Sequence, residues 1–317
     1  MTLRRHLLGI STLDRAEIEE LLSLASRFAE VCRRPIPRVP ALRGRSAALM
    51  FFENSTRTRL SFERAAKALS AETLSFGVSG SSMSKGESLV DTAATVAEMG
   101  AEVLIIRHEQ AGVPWLVARE LDVSVINAGD GCHEHPTQAL ADCMSLLEER
   151  SRRGETARGL QGLRVGIVGD VEHSRVARSD ALAFRALGAE VTLVGPPTLM
   201  PRDVSLWGTD VAWDLDELLG ELDVVYLLRL QLERLDRRRL GPLDDYIDAF
   251  SLTKERLRRM KEGAVVMHPG PINRGVEISD EAADGISSRI LDQVRNGIPV
   301  RMAALWWAFG VPGKAQA

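Results

Sequence analysis

The stretch Ala47-Ala48-Leu49-Met50-Phe51-Phe52-Glu53-Asn54-Ser55-Thr56-Arg57-Thr58-Arg59 decides how this chain is read. Its first six residues are an unbroken apolar run, the mark of a strand covered on both faces. A hydroxyl-rich segment follows and opens a pattern of helical spacing from Leu60 to Leu69. A buried strand passing straight into a helix is half of a βαβ unit and points to a parallel sheet. The helix start also has chemical meaning. Its first backbone N–H groups have no partner inside the helix, and the macrodipole adds partial positive charge there. Ser and Thr are ordinary caps for such an end. Two arginines crowded beside them are not, because the dipole disfavours cations at that point. A bound anion removes the conflict, and N–H, hydroxyl and guanidinium donors together suit a phosphate dianion.

Outward from this stretch, short apolar runs alternate with helical ones. Strands are expected over residues 47–52, 103–106, 123–127, 164–168, 191–194, 224–228 and 264–267. A first helix is expected from Ser11-Thr12, with Ile18, Leu21, Leu22, Ala25 and Phe28 at helical spacing. The polar, glycine-bearing segment 151–162 marks a division. The expected fold is α/β, with two similar domains, each a mainly parallel sheet flanked by helices. They are placed at residues 1–150 and 151–290, with a last helix over residues 291–317 packing back onto the first. Ligands in such folds sit outside the carboxyl ends of strands, and every motif below lies at such an end.

Bulk properties exclude several classes. The chain has 317 residues, 45% of them hydrophobic, enough for two domains with cores of their own. A formal charge of −4 and an aromatic content of 5% disfavour a nucleic-acid surface. No apolar run approaches the roughly 20 residues that span a bilayer, so no membrane partner is expected. The cysteines Cys32, Cys132 and Cys143 have no metal-finger spacing, and the start of the chain does not read as a signal peptide. Both points suit reduced thiols in a cytoplasmic protein, with Cys132 expected as a small buried residue rather than a nucleophile.

Further candidate residues follow the other strands. Arg107-His108 closes the run 103–106, and Asn127-Ala128-Gly129-Asp130-Gly131-Cys132-His133-Glu134-His135-Pro136-Thr137-Gln138 follows the next. Pro136 suits a first helical position, which puts His135 and Gln138 on one face of the helix start. A histidine, an arginine and Thr58 can polarise a carbonyl oxygen, and Gln138 offers a donor and an acceptor suited to an amide NH2. His133-Glu134-His135 raises the question of a metal, but the spacing fits no zinc helix motif and nearby arginines repel a cation. No metal is expected. The small, polar loop 79–88 carries Lys85, which could close over an anionic substrate. In the second half, Gly166 and Gly169 fall short of G-x-G-x-x-G, which opposes a nicotinamide dehydrogenase, and no cofactor is expected. Arg175 follows. Arg229 and Gln231 are two apart and point the same way in extended chain. His268-Pro269-Gly270-Pro271 fixes a loop whose carbonyls can accept from an amine. Arg57, Arg59, Lys85, Arg107, Arg175 and Arg229 all lie at strand ends or loops of a net acidic chain, so strongly anionic ligands are expected.

Taken in order, residues 51–59, Lys85-Gly86-Glu87-Ser88, Arg107-His108, His135-Pro136-Thr137-Gln138, Arg229-Leu230-Gln231 and His268-Pro269-Gly270-Pro271 resemble the aspartate carbamoyltransferase family across nearly the whole chain. The resemblance implies transfer of a carbamoyl group from carbamoyl phosphate to the amine of L-aspartate, an early step of de novo pyrimidine biosynthesis. It implies that Ser55, Thr56, Arg57 and Thr58 hold the phosphate, that Arg107, His135 and Thr58 polarise the carbonyl oxygen, and that Gln138 meets the carbamoyl NH2. Arg175, Arg229, Gln231 and Lys85 would bind the aspartate carboxylates, and carbonyls around Gly270-Pro271 would orient the amine. Ser81 and Lys85 would reach into a neighbouring subunit's site, giving a homotrimer, with a regulatory chain or dihydroorotase as further partners. The catalytic set is then Arg57, Thr58, Lys85, Arg107 and His135, and Arg59 is structural, tied to acidic neighbours. Ornithine carbamoyltransferase is the alternative. It would need a Ser-Met-Gly segment and His-Cys-Leu-Pro where Arg229-Leu230-Gln231 and His268-Pro269-Gly270-Pro271 stand. A non-catalytic anion-binding relative would lack His135, Arg107 or Lys85, and none is lost.

Overall fold

A computed structural model describes residues 5–77, 87–155, 159–231 and 241–310. They divide into two compact units, one running to Met144 and resuming at Arg295, the other Ser145–Val294. Each unit holds one parallel sheet.

In the first unit the strands are β1 (Ser46–Phe51), β2 (Glu72–Gly77), β3 (Val103–His108) and β4 (Ser124–Asp130), in the order β2-β1-β3-β4. Its helices are α1 (Arg15–Cys32), α2 (Thr56–Ala68), α3 (Leu89–Glu98), α4 (Val113–Glu120) and the start of α5 (Pro136–Arg152). Ala48, Met50, Leu104 and Ile106 pack with Ala93 and Val96 of α3 and Val113 and Val117 of α4. The alternate residues Ala47, Leu49, Val103 and Ile105 are buried as well, so both sheet faces are covered. That is why β1 and β3 read as continuous apolar runs. The sequence pattern does not announce β2. It is an edge strand, pairing only with β1, and its Glu72, Leu74 and Ser75 are exposed.

The first helix corrects the sequence expectation. Ile10–Thr12 form a short 3-10 turn, and α1 begins at Arg15 behind Asp14. Asp14 accepts from the Glu17 N–H while the Glu17 side chain accepts from the Asp14 N–H, a reciprocal cap that Ser11-Thr12 cannot supply here. The Ser11 hydroxyl is engaged elsewhere, on Glu134.

The second unit holds β5 (Arg164–Val168), β6 (Glu190–Val194), β7 (Asp210–Ala212), β8 (Val224–Leu227) and β9 (Val265–Met267), ordered β7-β6-β5-β8-β9. Its helices are α6 (Arg175–Ala186), α7 (Leu243–Phe250), α8 (Lys254–Arg259) and α9 (Asp280–Asp284). Val168, Val194, Leu227, Leu230, Tyr246, Phe250 and Ile278 share its core. The three-residue β7, at an edge, is the other strand the pattern does not reveal. The last helix, α10 (Ile290–Ala308), carries side chains of the first unit's core. Trp306 meets Phe28 edge-on with ring centres 6.0 Å apart, and Arg5 sits 4.2 Å over Trp307. Such an aromatic pair contributes about 0.5–1.5 kcal/mol beyond its buried area.

In each sheet the chain first winds one way and then crosses to the other side of its first strand. The crossing lies between β1 and β3 in one unit and between β5 and β8 in the other. The loops leaving these strand pairs diverge, which opens a crevice at their carboxyl ends. No described helix is long and apolar enough to cross a membrane.

Candidate active site

The β1 end of the first crevice carries the stretch from which the sequence was read. Ser55 caps α2 in extended backbone, φ −158° and ψ 98°, and its hydroxyl makes no hydrogen bond to the helix it caps. Thr56, Arg57 and Thr58 form the first turn, with Arg57 exposed and Thr58 buried. Arg59 is tied by Nε to Glu63 one turn on, at 3.2 Å, the structural role that the resemblance implied for it.

Arg107 stands at the end of β3. Its Nε lies 3.3 Å from Glu53 in the loop after β1, and its Nη1 donates to the Ala128 carbonyl of β4 at 3.2 Å. One guanidinium thus joins three neighbouring chain segments at the sheet's carboxyl edge. The next residue, His108, accepts from the Gln110 N–H through Nδ1 at 2.9 Å. Burial pushes its imidazole below the ordinary value against the pull of Glu109, Glu53 and Asp130, so Arg107 is the fixed cation of this pair.

His135 is buried and opens α5, its carbonyl accepting from the N–H groups of Gln138 and Ala139, with Pro136 at the first helical position as expected. The loop before it is held by buried polar groups. Asn127 Nδ2 donates to the Leu8 carbonyl and to Asp130, each at 2.8 Å. Asp130 also accepts from the Gly112 N–H at 2.7 Å and pairs with His133 Nδ1 at 3.1 Å. Burial works to raise its carboxyl pKa, but the bonds from His133, Gly112 and Asn127 outweigh this and hold it below the usual range. Glu134, fully buried, accepts from the Ile10 N–H at 2.6 Å and from Ser11. His133 and Glu134 therefore serve different partners. Among the described residues no group of three or more His, Cys, Asp or Glu side chains could hold a metal. Cys132 is exposed, against the expectation of a buried residue, because it lies at the outer turn of this loop.

Two groups beside this half went unread in the sequence. Gln138 donates through Nε2 to the buried Asp142 at 2.9 Å. Arg301 of α10 is buried, donates to the Gly297 carbonyl at 2.9 Å and lies 5.3 Å from the centre of the Phe62 ring. Burial pushes its pKa down to about 10, with Asp142 pulling it up and Arg57 pushing it down, so it remains a cation at neutral pH. The i, i+4 spacing of Gln138 and Asp142 was a usable signal. Nothing local marked Arg301.

The second unit repeats the device. Arg175 is the first residue of α6, and Ser174 caps that helix by accepting from the Ala177 N–H at 3.1 Å. Beyond β8 the buried Leu230 is flanked by half-buried Arg229 and Gln231, the alternation expected of extended chain. Gln231 donates to the His173 carbonyl at 3.1 Å, joining the loops after β8 and β5. Asn273 donates to the Leu230 carbonyl at 3.1 Å and brings in the loop after β9. Within that loop, His268 Nε2 lies 3.1 Å from the buried Glu277, and His268 Nδ1 accepts from the Gly270 N–H at 2.7 Å. Gly270 has φ 60°, a conformation a side chain would strain, and its bond to Pro271 is cis. Gly169, half of the broken dinucleotide pattern, has φ 123°, and the Tyr246 hydroxyl stands 2.8 Å from where a Cβ would lie. Backbone and packing account for that glycine without a nucleotide. Ser81 and Lys85 lie outside the described residues.

Two family models match the chain, one in each half. The model of the aspartate/ornithine carbamoyltransferase carbamoyl-P binding domain matches residues 5–148, and that of the Asp/Orn binding domain matches residues 161–308. The aspartate carbamoyltransferase catalytic subunit of Pelotomaculum thermopropionicum is 49% identical over 306 residues, covering 96% of this chain and 97% of its own. That of Leifsonia xyli subsp. xyli is 49% identical over 305 residues, 95% and 97% of the two chains. Among solved structures, Trypanosoma cruzi aspartate transcarbamoylase in complex with N-(phosphonacetyl)-L-aspartic acid superposes with a TM-score of 0.85 at 30% identity, over 96% of each chain. Ornithine carbamoyltransferase from Thermus thermophilus gives 0.83 at 26% identity, over 97% of this chain and 99% of its own. Shape alone does not separate these two activities, but sequence identity does: the chain belongs to the aspartate/ornithine carbamoyltransferase family, on the side of the aspartate carbamoyltransferase catalytic subunits.

Proposed function

We infer that the chain transfers the carbamoyl group of carbamoyl phosphate to the amine of L-aspartate, giving N-carbamoyl-L-aspartate and phosphate for pyrimidine synthesis. The observation that carries this reading is the arginine in the first turn of a helix at the crossing point of each sheet, Arg57 in α2 and Arg175 in α6. Each is a cation where the helix dipole favours an anion, and each unit is thereby suited to an anionic ligand.

In the first unit Ser55, Thr56, Arg57 and Thr58 take the phosphate. Arg107, His135 and Thr58 donate to the carbonyl oxygen, and Gln138 accepts from the carbamoyl NH2. In the second, Arg175, Arg229 and Gln231, with Lys85, take the two carboxylates of aspartate, and carbonyls around Gly270 and Pro271 orient the amine. Ornithine would present an ammonium where Arg229 stands, a like-charge encounter that costs several kcal/mol. The uncharged amine attacks the carbamoyl carbon and negative charge grows on the carbonyl oxygen. Donors aimed at that oxygen each lower the barrier by about 3–4 kcal/mol. The C–O bond to phosphate then breaks, and the departing phosphate takes the amine proton. No covalent enzyme intermediate is required, and positioning with electrostatics carries the rate.

The working unit is a homotrimer in which Ser81 and Lys85 complete a neighbour's site, with a regulatory chain or dihydroorotase as further partners. Cys32, Cys132 and Cys143 are not joined in disulfides, and reduced cysteines support a cytoplasmic setting. Calorimetry with N-(phosphonacetyl)-L-aspartate tests the pairing of the two substrates. That compound should bind about two orders of magnitude or more tighter than phosphonoacetamide, because its aspartate half adds a second set of contacts to the same ligand. Equal affinities would contradict an aspartate site.

A further inference from the structure

Gln138 lies in the first turn of α5 and Asp142 one turn further on, so their side chains share a face. An ionised carboxylate has acceptors only, so the group that Gln138 turns towards Asp142 must be its nitrogen, and the 2.9 Å contact is of that kind. A primary amide carries its oxygen and nitrogen on opposite sides. With the nitrogen held by a fully buried partner, Oε1 is the atom left for a ligand at the half-buried Gln138. Arg301, itself buried, has its charge favoured by the Asp142 carboxylate, so a cation acts on that carboxylate as well.

The consequence is one of selection. The carbamoyl group differs from an acetyl group by NH2 in place of CH3. A fixed amide oxygen accepts from the first and is left unpaired by the second, and sites built to hydrogen-bond a group reject analogues that lack it. Reversed, the amide would set N–H against N–H and favour neither. We propose that Asp142 is a positioning residue that locks the Gln138 amide with its oxygen towards the ligand, and that it thereby selects carbamoyl phosphate over acyl phosphates lacking an NH2 group. This rests on the reading that Gln138 meets the carbamoyl group.

The test uses two stable phosphonates, phosphonoacetamide and its methyl ketone counterpart acetonylphosphonate, with dissociation constants measured by calorimetry on the full-length protein. The wild type should prefer the amide by about tenfold or more, the scale of one hydrogen bond together with the penalty for leaving its acceptor unpaired. In Asp142→Asn the preference should fall to within about threefold because the amide orientation is released, while any effect of the lost charge near Arg301 falls on both ligands alike and leaves their ratio unaltered. Asp142→Ser should do the same and serves if the first variant does not fold. Gln138→Met should also lose the preference, and adding Asp142→Asn to it should cost nothing more. Retention of the wild-type preference in both Asp142 variants would overturn the proposal. So would equal weakening of both ligands, which is the result of a purely structural role. If the wild type shows no preference yet binds N-(phosphonacetyl)-L-aspartate tightly, the proposal falls and the transferase reading stands. If it binds none of the three, both fall.

Discussion

Arg57 and Arg59 are two residues apart, and the structure gives them different work. Arg59 is bonded to Glu63 along α2, an ordinary surface pair. Arg57 stays exposed in the first turn, its charge opposing that of buried Arg301. A cation in the first turn of a helix is opposed by the macrodipole, and an anion bound there relieves the conflict. Arg57→Ala should therefore lower kcat/KM by about two to three orders of magnitude, the scale for removing a donor to a reacting group. Arg59→Ala should change stability by no more than about 1 kcal/mol and leave turnover near wild type. Steady-state kinetics and urea unfolding of the two variants separate the roles. Ser55 to Arg59, Arg107, Arg229 and Gln231 stand out in the sequence because they lie at the ends of apolar runs, and His135 because it precedes Pro136 at a helix start. Asp142 went unread although its spacing from Gln138 offered a signal, and Arg301 offered none. A buried charged residue looks like any surface one until packing brings its partner, here from α10 to α2 and α5.

At the level of elements, seven of the nine strands among the described residues were legible because burial on both faces leaves continuous apolar runs. The two that were missed, β2 and β7, are edge strands with exposed or half-buried positions, whereas the edge strands β4 and β9 are buried throughout and leave apolar runs. The start of α1 was misplaced because Ser11 has the chemistry of a cap but is bonded to Glu134. A pH effect belongs to the end of α5. There Glu149 accepts from Arg289 at 2.7 Å and from Arg153 at 3.0 Å. The Arg289 bond, helped by Arg153 and opposed by burial, holds its carboxyl at about 2 against an ordinary 4.5. A depressed folded-state pKa contributes stability that is fully present above the unfolded value and lost as pH falls through the folded one. Glu149→Gln should accordingly be less stable than wild type by a constant margin above pH 4.5, and the margin should shrink between pH 4.5 and about 2. Urea midpoints measured across that range check it, and a margin independent of pH would contradict the role given to Glu149.

At the scale of the molecule, the two units use one plan twice. Each is a parallel sheet with its crossing point between two central strands, and arginines stand at the carboxyl ends of those strands. Alternation of runs made the two-sheet α/β plan legible, and a family resemblance, rather than spacing, supplied the substrates. Lys85 and Ser81 carry the claim of a shared site. If Lys85 serves a neighbouring subunit, mixing the two inactive variants Lys85→Ala and Arg57→Ala should restore part of the activity. Hybrid trimers then contain some sites with Arg57 from one chain and Lys85 from the other. Mixtures as inactive as their parents, despite verified subunit exchange, would place Lys85 within its own subunit's chemistry. The central claim concerns the reaction itself. Purified protein should be given carbamoyl phosphate with L-aspartate and, in parallel, with L-ornithine, and the carbamoylated products counted. Carbamoyl aspartate with no citrulline is the predicted result, and citrulline formation, or no product from either amino acid, would contradict it.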